Sequence, residues 1–170
     1  MVEEQYETER KFLVTDPSIV AGHEGDRFRQ AYLYRLNGHE GRIRLMRRRV
    51  GPGAYEDLVP LFTIKGPQRG ATRPEYEMHI PISYATELCE ASKSRIQKTR
   101  YSIVIGEPWE IDVFEEANTG LVLAEYEGRD AALLQPSRFS FIGKEVTRDH
   151  RYRNEYLADH PWPEWPENAR

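Results

Sequence analysis

Apolar and charged residues alternate along most of the chain, and this alternation predicts a protein built mainly from β-strands. Residues two apart in a strand lie on the same face, so each alternating segment has one apolar and one polar face. Short turns rich in glycine, asparagine and proline separate the segments, which favours antiparallel neighbours. The predicted strands cover residues 5–14, 27–36, 41–50, 58–65, 72–82, 95–105, 108–115 and 120–127.

Helix signals are fewer and lie between or after the strands. A capping residue followed by proline within residues 15–17 marks one helix start. Further helices are predicted over residues 83–92, 130–135 and about 149–159. The pattern therefore predicts an α+β fold in which strands dominate.

The polar face of the predicted sheet carries mainly charged side chains of both signs. Any two opposite charges on this face could simply form an exposed ion pair, which contributes about 0–1 kcal/mol to stability. Neighbouring like charges, such as Glu7 beside Glu9, repel each other unless an ion of opposite charge lies between them. The charged positions that share strand faces are Glu7, Glu9 and Lys11; Arg42 and Arg44; Lys65; Arg73, Glu75 and Glu77; Lys98 and Arg100; Glu110 and Asp112; Glu125 and Glu127.

This mixture of charges meets the ligand requirements of a metal–polyphosphate complex. Hard divalent cations such as Mg²⁺ bind one or two carboxylates together with phosphate oxygens and water. Arginine side chains bind phosphate oxygens through paired donors. If the sheet closes, both groups point into a lumen shielded from water, where electrostatic interactions are stronger.

Composition restricts the other possibilities. The 170 residues suffice for one domain, and the net charge of −4 argues against a dedicated binder of duplex DNA. A single cysteine, Cys89, excludes an intrachain disulfide and a thiolate zinc site. No apolar run approaches the roughly 20 residues of a membrane span, and the acidic N-terminus is unlike a signal peptide. We therefore expect a cytoplasmic protein without a membrane or nucleic-acid partner.

Short motifs follow one another in order along residues 5–158. The first, Glu7-x-Glu9-x-Lys11, is weak alone because charged strands and helices produce it by chance. Eight further motifs follow it: Gln30-Ala-Tyr32, Arg42-Ile-Arg44, Thr63-Ile-Lys65-Gly66, Arg73-x-Glu75-x-Glu77, Lys98-Thr-Arg100-Tyr101, Trp109-Glu110-Ile-Asp112-x-Phe114, Gly120-Leu-x-x-Ala-Glu125-Tyr-Glu127 and Gly143-x-Glu145-Val-Thr147. In this order and spacing the motifs resemble the CYTH domain, also called the triphosphate tunnel metalloenzyme family. The compact form looks most like the short bacterial branch that hydrolyses inorganic triphosphate.

The resemblance implies a closed or nearly closed antiparallel barrel of about eight strands, with a charged lumen and helices packed outside. The whole chain, 1–170, would form one such domain. Its barrel core would cover about residues 5–127, its C-terminal helical region about 128–159, and a tail rich in proline and tryptophan residues 160–170.

The resemblance also implies roles for the charged residues, with Mg²⁺ or Mn²⁺ as the cofactor. The implied metal ligands are Glu7, Glu9 and Glu125 for the cation that grips the triphosphate, and Asp112 and Glu127 for a second cation. The implied substrate-binding residues are Lys11, Arg42, Arg44, Lys65 and Arg100, with Arg73 and Lys98 as additions. The family often adds a basic residue from the C-terminal helix, and the candidates here are Lys144, Arg151 and Arg153.

Three further residues have two interpretations each. Tyr32 either touches the substrate or packs in the barrel with a hydrogen-bonded tip. Glu75 and Glu77 either bind metal directly or only pair with basic neighbours. The structural interpretation is the more common one for residues of these types.

The expected reaction converts a small-molecule triphosphate and water into pyrophosphate and phosphate. A metal-bound water would be the nucleophile, so no side-chain base is assigned. One alternative keeps the fold but acts on thiamine triphosphate, a nucleoside triphosphate or polyphosphate, or cyclises ATP as class IV adenylyl cyclases do. Another is a non-catalytic module that binds polyphosphate or RNA ends. The sequence leaves the oligomeric state open, a homodimer being one option.

Overall fold

The structure is a computed structural model that describes residues 9–67, 74–127 and 134–168. The strands are β1 (Glu9–Val14), β2 (Asp26–Leu36), β3 (His39–Arg47), β4 (Arg49–Gly51), β5 (Ala54–Tyr55), β6 (Val59–Lys65), β7 (Glu75–His79), β8 (Arg95–Ile105), β9 (Glu107–Phe114), β10 (Val122–Glu127) and β11 (Ile142–Glu145). The α-helices are α1 (Ile82–Ala91) and α2 (Asn154–Leu157). Short 3-10 helices cover Pro17–Val20, Glu116–Asn118, Pro136–Arg138, His150–Tyr152 and Trp162–Glu164.

Nine of these strands form one antiparallel sheet in the order β11-β1-β10-β9-β8-β2-β3-β6-β7, and β4 and β5 form a separate hairpin. Tight turns connect several neighbours. For example, Asn37 and Gly38 join β2 to β3 with φ of 50° and 78°, a left-handed geometry that these two residue types tolerate. The predicted antiparallel sheet is therefore confirmed.

The expected closed barrel is not confirmed. Within the described ranges, the edge strands β11 and β7 do not pair with each other, so the sheet is open. The segment of residues 146–155, which follows β11, instead lines the inner face of the sheet.

The apolar residues of the alternating pattern pack mainly on the outer face of the sheet. One outer cluster surrounds Trp109, whose ring meets Phe12, Phe139 and Phe141 at centroid distances of 5.0–6.0 Å. Another lies beneath α1 and includes Cys89, which is fully buried. These clusters fix which face of each strand is left for the charged residues.

A third apolar cluster lies on the inner face, where the C-terminal segment packs against the sheet. It joins Phe114 and Leu123 to Tyr152, Leu157 and Trp165. The indole nitrogen of Trp165 also donates a hydrogen bond to the carbonyl oxygen of His160 at 2.9 Å. Trp165 therefore holds the C-terminal tail against the inner face of the sheet.

The C-terminal region differs most from expectation. The helix predicted over about 149–159 is wrong as a continuous element, because Arg153 is extended (φ −79°, ψ 143°) between a 3-10 turn and the single-turn α2. Strand β11 was not predicted, and the helix predicted over 130–135 lies mostly outside the described residues. None of the described helices has the length and apolar character needed to cross a membrane.

Candidate active site

The charged face of the sheet surrounds a cavity of about 750 Å³. Its lining side chains come from alternate positions of β1, β2, β3, β8, β9 and β10, with Lys65 and Glu75 from β6 and β7. The segment of residues 146–155 completes the lining. Alternation of strand side chains, predicted from the sequence, is what directs these residues inward.

One side of the cavity, here called the acidic wall, comprises Glu9, Lys11, Lys98, Arg100, Glu110, Asp112, Glu125 and Glu127. Pairing of β1 with β10 places Glu9 opposite Glu127 and Lys11 opposite Glu125. Carboxylate oxygens of Glu9, Glu125 and Glu127 all lie within 4.8 Å of one another. Three of the five predicted metal ligands therefore converge on one place, and Glu127, which the resemblance assigned with Asp112 to a second cation, lies with Glu9 and Glu125 instead.

Lys11 forms ion pairs with two members of this trio. Its ammonium lies 2.7 Å from a Glu9 oxygen and 2.9 Å from a Glu125 oxygen. Among the described residues, no basic side chain forms an ion pair with Glu127. Burial, together with the negative charges of Glu110, Glu9 and Glu125, raises the pKa of Glu127 to about 7. The trio therefore holds more negative charge than its neighbours neutralise, as a cation site would.

Asp112 is placed differently from the other predicted metal ligands. It is fully buried, and its two oxygens accept hydrogen bonds from Arg100 at 2.7 Å each and from the ammonium of Lys98. Burial alone would raise the pKa of Asp112, but Lys98 and Arg100 hold it well below its ordinary value. The structure does not bring Asp112 into the carboxylate trio.

Arg100 links Asp112 to the trio. Its guanidinium bonds Asp112 and lies 2.7 Å from an oxygen of Glu125, and it also contacts Glu110. Lys98 is almost completely buried, and burial lowers the pKa of its ammonium although Asp112 opposes the effect. The acidic wall is thus a continuous network of short ion pairs.

The opposite side of the cavity, here called the basic wall, comprises Arg42, Arg44, Lys65, Glu75 and Glu77. The Arg42 guanidinium lies 3.6 Å from Glu75 and 3.8 Å from Glu77, and that of Arg44 lies 3.8 Å from Glu77. Both Nε–H groups of these arginines are buried without a hydrogen-bond partner among the described residues. Burial, with the nearby charge of Arg42, also lowers the pKa of Arg44. Each of these two arginines therefore has an N–H donor available for a ligand.

Glu75 and Glu77 act in this structure as partners of basic residues. Glu75 pairs with Lys65 at 3.0 Å, and Glu77 accepts a hydrogen bond from the Thr63 hydroxyl at 2.8 Å. Neither belongs to the carboxylate trio. Of the two interpretations offered by the sequence, the geometry favours pairing.

Tyr32 lines the cavity and is buried, with its hydroxyl 3.4 Å from the amide oxygen of Gln30. Burial, with the charge of Glu155, raises the pKa of Tyr32, so it stays a neutral donor. Arg35 stacks over its ring at 4.6 Å. Tyr32 thus has a packing role and faces the cavity as well.

Among the three basic candidates from the C-terminal region, Arg153 lines the cavity. Arg151 pairs with Asp149 and Glu167 and stacks on Trp165, so its charge is used within the C-terminal segment. Lys144 lies exposed on β11. Arg153 is therefore the residue placed to contact a bound anion.

Two predicted residues, Glu7 and Arg73, lie outside the described residues. Conversely, the sequence interpretation missed several polar residues that line the cavity. Glu40 is one that strand alternation could have revealed, since it lies two residues before Arg42 on the same face. Asp26 and Glu155 are others, and Glu155 could not be found because it depends on how the C-terminal segment folds back.

The fold and the cavity define a curved antiparallel sheet whose inner face carries a carboxylate trio opposite a set of arginines. No protein-family model matches the sequence. An inorganic triphosphatase of Acetivibrio thermocellus is 35% identical over 166 residues, which cover 95% of this chain and 98% of that protein. An inorganic triphosphatase of Nitrosomonas europaea is 38% identical over 104 residues, covering 57% of this chain and 66% of that protein.

Solved structures agree with these relatives. The crystal structure of the inorganic triphosphatase NE1496 has a TM-score of 0.66 and 33% identity, covering 89% of this chain and 93% of that one. The PH1819 protein of Pyrococcus horikoshii, at 19% identity and a TM-score of 0.57, shares the fold. The chain therefore belongs to the inorganic triphosphatase family, the CYTH-type family that its motifs resemble.

Proposed function

We propose that this protein hydrolyses inorganic triphosphate to pyrophosphate and phosphate with the help of a divalent cation, Mg²⁺ or Mn²⁺. The observation that carries this proposal is that one cavity contains both the carboxylate trio and two arginines with unused donors. The Nε–H groups of Arg42 and Arg44 are buried and have no hydrogen-bond partner among the described residues. A metal-bound polyphosphate supplies both a cation for the former and anionic oxygens for the latter. The names of the relatives support the same substrate.

The residues present fit a hard divalent cation. Glu9, Glu125 and Glu127 offer three carboxylate oxygens in close proximity, which is the ligand chemistry that Mg²⁺ and Mn²⁺ prefer. Glu7 is predicted to add a fourth carboxylate. When bound, such a cation neutralises phosphate oxygens and increases the electrophilicity of the phosphorus.

The protein's own side chains would bind and orient the phosphate chain. Arg42 and Arg44 would donate to its oxygens, since their present carboxylate contacts of 3.6–3.8 Å are long for hydrogen bonds. Lys65 and Arg153 would extend this contact along the cavity. Phosphoryl transfer depends mainly on such positioning and charge stabilisation.

Lys11 and Arg100 would act from the acidic wall. Asp112 holds the guanidinium of Arg100 by two bonds of 2.7 Å, so that it is fixed before substrate arrives. No histidine of the described residues lines the cavity, which agrees with a mechanism that lacks a histidine base. We place the enzyme in the cytoplasm, since its one cysteine is buried and free, as is usual in a reducing compartment.

A panel of substrates tests the proposal directly. Phosphate release from triphosphate, pyrophosphate, ATP and thiamine triphosphate would be measured with Mg²⁺, with Mn²⁺ and with EDTA. We expect the highest kcat/KM on triphosphate and loss of activity in EDTA. A higher kcat/KM on ATP or thiamine triphosphate would assign another substrate to the same cavity, and full activity in EDTA would disprove the metal requirement.

A further inference from the structure

Four arginines lie together on the outer face of the sheet, opposite the cavity. On β2, Phe28 and Gln30 line the cavity. Because side chains alternate along a strand, Arg27 and Arg29 lie on the outer face. Arg47 on β3 lies directly opposite Arg27. On β8, Arg95 lies opposite Ala31 of the outer apolar cluster. We call these four exposed residues the outer arginine patch.

The patch brings together four arginines that lack nearby counter-charges. Among the described residues, no carboxylate oxygen lies within 4.0 Å of Arg27, Arg29, Arg47 or Arg95. Like charges directly opposite each other on neighbouring strands are destabilising. The arrangement is notable in a chain whose net charge is −4. A bound anion would remove the repulsion.

The patch also has a depression into which an anion fits. A pocket of about 230 Å³ lies between Arg27, Arg29 and Arg47, and none of its described lining residues is acidic. Leu45 and Leu58 form part of its floor. The side chain of Gln97 also borders the pocket. Its amide nitrogen donates a hydrogen bond to the Glu115 carboxylate at 2.5 Å, and its amide oxygen accepts one from the Arg29 guanidinium at 3.5 Å.

The extent of the patch favours a chain of phosphates over a single one. Arg47 and Arg95 are separated by two strand spacings and by four residue positions along the strands. With about 4.8 Å between strands and 3.3 Å per residue, this distance is about 16 Å, more than one phosphate can span. Arginine forks along such a line suit successive phosphate groups.

A nucleic-acid strand also carries phosphates, but it is bound with exposed aromatic rings on which bases stack. Here the bordering ring of Tyr55 is occupied by the guanidinium groups of Arg27 and Arg49, at 5.2 and 4.9 Å. Phe28 contributes to the lining of both the pocket and the cavity, and its ring lies under the guanidinium of the cavity residue Arg100 at 5.8 Å. The chemistry of the patch therefore favours an inorganic chain.

We propose that the outer arginine patch is a second anion site, which binds inorganic polyphosphate outside the cavity. This site is independent of the hydrolysis proposed above, because none of its four arginines contacts the carboxylate trio or the basic wall. Its occupant is a chain longer than triphosphate that is held on the surface by its charges.

Binding of fluorescently labelled long-chain polyphosphate, measured by anisotropy in EDTA, tests the site without any turnover. The double variant Arg27→Gln, Arg47→Gln removes the directly opposed pair. The control Arg138→Gln, Arg148→Gln makes the same change in net charge elsewhere on the surface. We expect the patch variant to bind about tenfold more weakly, with a salt dependence reduced by about two charges, and the control to bind like wild type.

Two accompanying measurements complete the test. Hydrolysis of triphosphate by the patch variant should equal that of wild type, and its melting temperature without ligand should be equal or higher, because a repulsion is removed. Equal weakening in both variants, or displacement of the labelled chain by triphosphate without any effect of the patch substitutions, would overturn the proposal. Tighter binding of a single-stranded RNA of equal charge would replace it with a nucleic-acid site.

Discussion

The two walls of the cavity hold their charges in different ways. On the acidic wall, Lys11 forms ion pairs with Glu9 and Glu125 at 2.7 and 2.9 Å. Arg100 forms one with the fully buried Asp112 at 2.7 Å. On the basic wall, Arg42 and Arg44 lie 3.6–3.8 Å from half-exposed carboxylates and keep buried Nε–H groups without partners among the described residues. The first wall is assembled before any ligand binds, whereas the second has donors available for one.

The largest expected effect comes from Asp112→Asn, which leaves Lys98 and Arg100 without their buried counter-charge. Removing one partner of a buried ion pair costs about 3–5 kcal/mol, so the free energy of unfolding should fall by that amount in metal-free protein. Glu77→Gln on the basic wall should cost less than about 1 kcal/mol. Urea denaturation of both variants measures the difference.

A second variant keeps this test decisive if Asp112→Asn fails to fold. Adding Lys98→Met removes one buried charge and should restore part of the stability. Equal and small losses for Asp112→Asn and Glu77→Gln would show that the two walls do not differ. Full stability without metal, combined with lost activity, would return Asp112 to its predicted role as a metal ligand.

The carboxylate trio should matter for activity far more than for stability. Glu9→Gln and Glu127→Gln should each lower kcat on the order of 100-fold, because cation binding is weakened. The unfolding free energy of the metal-free protein should stay equal or rise, since a repulsive charge is removed. Glu87→Gln on the surface of α1 is the matched control. Turnover at the control's rate would exclude the substituted residue from the metal site.

On the basic wall, Arg44→Ala should lower kcat/KM for triphosphate by about 2–3 kcal/mol of transition-state stabilisation. Arg44→Lys should recover only part of this loss, because a single ammonium cannot reproduce paired donors. The exposed Arg48→Ala serves as a control. Full recovery with lysine would show that positive charge alone is sufficient. It would contradict the inference that the paired N–H donors of this arginine bind the phosphate oxygens.

The smallest expected effect is a pH dependence of stability in the metal-free protein. Because the folded-state pKa of Glu127 is raised from 4.5 to about 7, the folded protein binds this proton more tightly than the unfolded chain does. The stabilisation is fully present below pH 4.5 and is lost as the pH rises through 7. Glu127 is only partly buried and solvent screens its charge, so the melting temperature should fall by only about 2 °C.

Glu127→Gln should remove this component of the pH dependence, and Glu87→Gln should not. Thermal melts in EDTA between pH 5 and 8 measure it. An unchanged slope in Glu127→Gln would mean that another group carries the titration.

Sequence alternation was enough to place most charged residues on the inner face, since the period of two depends on strand geometry alone. The motifs grouped Glu9 with Glu125, but they grouped Glu127 with Asp112 at a second cation, whereas Glu127 lies with Glu9 and Glu125. The role of Asp112 did not, because it depends on the register that sets Asp112 opposite Arg100. Register is a property of two strands together, and neither strand's sequence contains it.

The C-terminal region was the least predictable part. Nothing in the local sequence shows that residues 146–155 fold back over the inner face, or that Arg153 reaches the cavity while Arg151 does not. That placement depends on apolar contacts of Tyr152, Leu157 and Trp165 with distant strands. Contacts between residues far apart in sequence have no local signal.

The position of β1 between β10 and β11 has a consequence for synthesis of the chain. Both neighbours of the first strand are encoded more than 100 residues later, so β1 leaves the ribosome with neither edge covered. Its pairing closes a loop of well over 100 residues, and such non-local contacts make folding slow. The three carboxylates of the trio therefore come together only when about three quarters of the protein has been made. A nascent chain halted before β10 would expose β1 to chaperones and to other chains alike.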